Sequence, residues 1–281
     1  MMRLRWYYIE CCLLAFLAVG PLTVQAASVK VVDFGGERWE QIRGKHFLLY
    51  YHPNWSAAKA QEVLRLAERY YQEIAETLGF TRYSDFWTWD DRAKIFIFPS
   101  QEVFSQKTGA PAWTTGYSDR DSFLFQSRAI VTYQQEAALA EEILPHEVSH
   151  LILHDFIPEA NLPVWIDEGI AQLFEKEKVR LVDRVMSFLV TNGQFIDVEF
   201  LNRWNIRKEH DGKKIEVFYV QSLSIIKFMR EEYGHSSFQE FCRHLRDGKD
   251  INSALRAAYT GKIHSLKDLE REWLKYIRNK Q

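Results

Sequence analysis

The chain has 281 residues, 47% hydrophobic and 26% charged, with 36 Lys and Arg against 38 Asp and Glu. That composition builds a globular protein with a sizeable core and excludes a disordered chain. A formal net charge of −2 offers no basic field for nucleic acid or an anionic membrane surface.

The N-terminus reads apart from the rest. Arg3 and Arg5 precede a mostly apolar run from Cys11 to Val24, and Val24-Gln25-Ala26 places small residues where a signal peptidase reads. The run is short for a membrane span and Pro21 interrupts it. Residues 1–26 are therefore expected to be a cleaved signal peptide, sending the protein to a bacterial periplasm or outside the cell. An uncleaved anchor in the inner membrane is the alternative. With cleavage, no stable membrane insertion is expected. Cys11 and Cys12 leave with the segment, so Cys242 is the one mature cysteine and no internal disulfide can form. Beside Phe241 on an amphipathic helix, it reads as a buried structural thiol.

In chain order, Val29–Phe34 and Phe47–His52 read as short strands, with Gly35-Gly36 a turn. After a capping stretch Asn54-Trp55-Ser56, a long helix over Ala57–Leu78 carries Val63, Leu64, Ala67, Tyr70, Tyr71, Ile74 and Leu78 on one stripe. Tyr83–Trp89 is an aromatic loop or strand edge that covers the core. Lys94–Phe98 is a buried strand, Ser100 caps a short helix that Gly109 ends, and Ala110–Asp121 is a loop. Ala129–Tyr133 is the next strand. Glu136–Ile143 looks helical, and Pro145 breaks or kinks the chain so that a new helix begins there. Pro163 opens another helix. Beyond Asn192-Gly193 the pattern is almost wholly helical, over Ile215–Tyr233, Ser237–Leu245, Ile251–Tyr259 and Leu266–Ile277, with Ser265 and Asp268 forming a capping box. Strands mixed with helices first and helices alone afterwards make an α+β fold. Residues 27–193 are the expected catalytic region and 194–281 a helical C-terminal lobe of the same domain.

The chemistry is concentrated in Leu144-Pro145-His146-Glu147-Val148-Ser149-His150 and in Trp165-Ile166-Asp167-Glu168-Gly169-Ile170-Ala171. On a helix, His146 and His150 lie about 40° apart, so both imidazoles reach one point. That is the geometry for two nitrogens about 2.0–2.1 Å from one Zn2+ ion. Glu147 points into a neighbouring sector, within reach of a metal-activated water but not of the metal itself. Glu168, on the second segment, supplies a third ligand and leaves the fourth position open. Gly169 permits close backbone approach. His154, about 80° from His146 on a straight helix, reads as a surface or supporting histidine. Asp155, Asp167 and Glu175 read as solvated or helix-end carboxylates, although the two aspartates could orient an imidazole. Trp165 packs.

These two stretches resemble the gluzincin metallopeptidases, and within them the peptidase MA-like proteins related to the M1 aminopeptidases. Both signature segments match, at His146, Glu147 and His150 and at Trp165, Glu168, Gly169 and Ala171. Weaker similarity runs through Tyr219–Ser224 and Glu232-Tyr233-Gly234 to Leu269–Leu274. The spacer from His150 to Glu168 is one residue shorter than in the M1 enzymes, and Asp167 stands where they carry Asn. The resemblance implies a zincin-like, thermolysin-type fold, a mixed sheet over an active-site helix, with one zinc per chain and a peptide or protein substrate. It implies that Ala129–Tyr133 is the sheet edge lining the cleft, where a peptide adds as a further strand. It also points to Tyr219 as the donor to the developing oxyanion. A core tyrosine is the competing description, and His210 and His235 are the other candidate donors. The M1 segment whose Glu grips a free amino terminus corresponds to Trp113–Asp119, which has no such Glu, so endopeptidase activity is expected. The competing function is a zinc-binding envelope protein that acts in binding or assembly with little hydrolysis.

Overall fold

The computed structural model describes residues 29–280 apart from 35, 81–86, 88–90, 123–126 and 136–137. The expected signal segment and most of the aromatic stretch 83–89 lie outside the described residues. Trp87 is described, and it is buried against Phe47 and Tyr71.

The described residues contain a six-stranded mixed sheet of order β1-β2-β3-β4-β6-β5. The strands are β1 (Lys30–Phe34), β2 (Glu37–Arg43), β3 (Phe47–Tyr51), β4 (Ala93–Phe98), β5 (Gly116–Ser122) and β6 (Ser127–Tyr133). β3, β4 and β6 run parallel, and β1, β2 and β5 are antiparallel to their neighbours. Two expectations change here. Residues 116–122, expected to be loop, are an edge strand pairing Tyr117 with Val131 and Ser118 with Ile130. Ala129–Tyr133 is consequently an interior strand, and β5 is the edge. Its polar sequence suits that place, because an edge strand is held by backbone hydrogen bonds on one side and needs little apolar surface. β2 also went unread: its buried residues, Trp39 and Ile42, are three apart and break the alternation that marks a strand.

Helix α1 (Ala57–Thr77) buries the stripe expected of it, and α2 (Gln101–Thr108) follows β4, capped by Ser100 and closed by Gly109 at φ 73°. The segment leading to His146 is not broken at Pro145. A π-helical turn over Leu139–Ile143 runs directly into α3 (Leu144–Phe156). In that i→i+5 pattern the carbonyl of Ala140 faces residue 145, and proline has no N–H to give. The Tyr70 hydroxyl from α1 donates to that carbonyl instead, at 2.9 Å. A buried tyrosine thus lets the helix start early without an orphaned acceptor.

After a short 3-10 turn, α4 (Val164–Gln172) opens at Pro163 as expected, and Ile170, Leu173 and Phe174 are buried. α5 (Lys176–Thr191) and α6 (Val198–Arg203) follow, then α7 (Gly212–Tyr233), α8 (His235–Arg246), α9 (Ile251–Ala258) and α10 (Leu266–Arg278). At α10, Ser265 accepts from the Asp268 N–H while Asp268 accepts from the N–H of His264. Cys242 is fully buried, and burial raises its thiol to about 12, so it carries no nucleophile. One apolar core runs from Ile42 and Leu49 of the sheet through Val148 and Ile170 to Trp273 and Ile277. Among the described residues no helix is long and apolar enough to cross a membrane.

Candidate metal centre and active site

α3 lies beneath the sheet and presents His146 and His150 to a cleft of about 450 Å3. Thr114, Thr115, Gly116, Tyr117 and Ser118 line it from the sheet, and Glu168, Lys178, Arg207 and Tyr219 from the helices. Gly116 sits where the strand passes the π turn: a Cβ there would meet Ile143 at 2.8 Å.

The expected ligands do come together. His146 Nε2 and His150 Nε2 are 3.0 Å apart, and Glu168 Oε2 lies 3.6 Å from the first and 3.8 Å from the second. Donors on a tetrahedral ion at about 2.0–2.1 Å are separated by about 3.3–3.4 Å, so these three atoms fit such an ion. The outer ring nitrogens settle which lone pairs are free. His146 Nδ1 is 2.9 Å from Glu175 Oε1, and His150 Nδ1 is 2.8 Å from Asp167 Oδ1. A carboxylate accepts, so each Nδ1 carries the hydrogen and each neutral ring turns an Nε2 lone pair inward. Two Nε2 atoms 3.0 Å apart with a carboxylate beside them form a donor set that suits a cation between them, whether a proton or a metal ion.

The electrostatics carry the same demand. Burial opposes a charge on His150, but Asp167, Glu168 and Glu147 outweigh it and lift that imidazole to about 10. Burial also works against the Asp167 carboxylate, yet His150 and His154 hold it well below the usual carboxylate range. Glu168 is raised, chiefly by burial. The surrounding carboxylates thus favour positive charge at this point, which a proton on His150 or a divalent ion can carry.

Two side chains do more than expected. Asp167 is buried rather than solvated, and it bridges His150 to His154, whose Nε2 lies 2.9 Å from Oδ2. His154 is thereby a supporting histidine. A second trio, His150, His154 and Asp167, also has the spacing of metal donors, but these hydrogen bonds already use it. Glu175, read from sequence as a solvated helix face, is only 2% exposed and holds His146, with Lys178 Nζ 2.6 Å from its other oxygen. The signal for it lay in the helix that follows: Val179, Val182, Met186 and Val190 recur at helical spacing, which makes Glu175 the cap of α5. Asp155, by contrast, accepts from Trp87 Nε1 and Arg128 Nε at 2.7 Å each and serves the fold. Trp165 is buried and donates to Asn202.

α4 and α7 fix Glu168 relative to Tyr219. Gly169 allows the contact, since a Cβ there would lie 2.7 Å from the Ser222 carbonyl oxygen. Gln172 Nε2 donates to the carbonyls of both Glu168 and Tyr219, at 3.1 Å each. Burial first, then the Glu168 charge, raises the Tyr219 phenol to about 12, so it keeps its proton at neutral pH. Tyr219 lines the cleft with Glu147, whereas His210 and His235 do not.

Two helical imidazoles, a carboxylate from the next helix and a buried glutamate under an open sheet edge define a metallopeptidase type of site. The chain carries that site within a known family. It belongs to the Peptidase MA superfamily, whose family model matches residues 94–279, from β4 through α10. No curated protein matches the chain.

Proposed function

We propose that the protein is an exported zinc endopeptidase with His146, His150 and Glu168 as metal ligands. The observation that carries the reading is the pair of inward-facing Nε2 atoms 3.0 Å apart with Glu168 alongside. Zinc, when bound, acts as a Lewis acid that polarises a peptide carbonyl and brings the pKa of water towards about 7. Glu147 is the general base that takes a proton from the attacking water and returns it to the leaving amine. The Tyr219 hydroxyl donates a hydrogen bond to the oxyanion as charge develops. Asp167 and Glu175 keep both imidazoles in the tautomer and orientation that ligation needs. The substrate backbone pairs with the free edge of β5 over Gly116–Ser118, which brings its carbonyl to the centre.

The endopeptidase reading is supported by Trp113–Asp119, which bears no carboxylate before Asp119 to hold a free amino terminus. Residues 1–26 serve as the signal, and 27–193 with 194–281 form one domain, supported by the core that both regions share. The test is metal analysis of the purified protein joined to digestion of a peptide library, on wild type and on Glu147→Gln. One zinc per chain and Glu147-dependent internal cleavage are expected. Stoichiometric zinc without such cleavage would replace this reading by a zinc-binding role in the envelope. N-terminal sequencing of the exported protein tests cleavage after Ala26.

A further inference from the structure

We infer that Arg207 forms a carboxylate subsite, so that the cleft prefers a substrate with an acidic side chain or a terminal carboxylate beside the cut bond. The inference rests on the peptidase reading of the same cleft. The lining holds Glu142, Glu147, Asp167, Glu168 and Glu175 against two permanent cations, Lys178 and Arg207. Most of these carboxylates have work already. Asp167 holds His150 and His154, Glu175 holds His146 and Lys178, Glu168 faces the paired imidazoles, and Glu147 is the base. Among the described residues Arg207 has no carboxylate partner, and its field reaches the cleft, where it opposes the upward shift of Tyr219.

The backbone beneath Arg207 is firmly placed. It lies on a 3-10 turn, Ile206–Lys208, capped by Asn205, whose Oδ1 accepts from Arg207 N–H at 3.2 Å. Ile206 is buried, and Trp204 packs edge-on against Phe218, the neighbour of Tyr219 on α7. A guanidinium on a fixed base, facing a cleft and with no carboxylate partner among the described residues, is suited to bidentate capture of a carboxylate. Because Arg207 and the three donor atoms line one cleft of about 450 Å3, the captured group belongs to a residue bound in that cleft, close to the scissile bond.

A carboxylate can come from an internal Asp or Glu or from the chain end, and one experiment separates them. Labelled peptides of one sequence carry Glu or Gln at the positions flanking the cut bond, each as the free acid and as the C-terminal amide. Binding to zinc-loaded Glu147→Gln protein is read by fluorescence anisotropy, and cleavage is measured with wild type. Carboxylate peptides are expected to bind about tenfold or more tightly than their neutral isosteres, the gain expected of a charge-assisted bidentate pair. That ratio should fall to near one with Arg207→Ala added and invert with Arg207→Glu. Arg207 is exposed, so the thermal midpoint of each variant should match its parent. Equal affinity for acid and neutral peptides, discrimination that survives Arg207→Ala, or no peptide binding at all would overturn the proposal. Carboxylate-dependent binding without cleavage by wild type would leave the subsite standing and remove the peptidase reading, and cleavage without discrimination would do the reverse.

Discussion

The helical and sheet sides of the cleft are held by different physics. On the helical side, His150, Asp167 and Glu175 are nearly withdrawn from water; His150 and Asp167 are hydrogen-bonded to each other, and Glu175 is committed to His146. On the sheet side, β5 has no strand on its outer edge among the described residues, and Trp113 just before it is 82% exposed. On the proposed function, the groups that would hold the metal geometry are embedded in the core, and the strand edge at the surface would recognise peptide backbone irrespective of side chain. Damage to the first region should therefore cost chemistry or metal, and damage to the second should cost substrate affinity.

The largest effect should come from Glu147→Gln, which removes the base while keeping the shape. Turnover is expected to fall by about 10^2–10^4-fold, with zinc content unchanged, as read by steady-state kinetics beside metal analysis. Tyr219→Phe comes next, with a loss of about 10^2–10^3-fold in kcat and a small change in KM. A loss confined to KM would instead place the phenol among binding groups. Asp167→Ala and Glu175→Ala should each weaken zinc binding by about 10–100-fold in competition with a chelator. Unchanged zinc affinity in both would show that these carboxylates serve folding alone. Trp113→Ala should be mildest, raising KM a few-fold while unfolding free energy stays within about 0.5 kcal/mol of wild type. A marked fall in stability would mean that the indole belongs to the fold rather than to recognition.

The same contrast explains what could be read from the sequence. His146 and His150 were legible because helical spacing alone brings them to one face, Glu147 because it falls in the neighbouring sector, and Glu168 because the family signature marks it. Most of the helices after Asn192 were legible from apolar periodicity. α5 went unread although Val179, Val182, Met186 and Val190 recur at helical spacing, and Glu175 went with it, because its role depends on where the chain turns between α4 and α5 and an acidic residue beside Lys176 does not itself announce burial. Asp167 was open to either description until its position beside two histidine rings decided it. β5 was hidden because a polar edge strand takes its structure from its neighbour. For the same reason β6 was misplaced at the edge. Pro145 misled in a different way, since the carbonyl it leaves unbonded is satisfied by Tyr70, seventy residues earlier in the chain.

The most direct measurement is anomalous diffraction at the zinc edge from crystals of the zinc-loaded protein. A single peak bonded to His146 Nε2, His150 Nε2 and a Glu168 carboxylate oxygen, at about 2.0–2.2 Å from each, is the predicted result. A peak elsewhere, or none at saturating zinc, would contradict it.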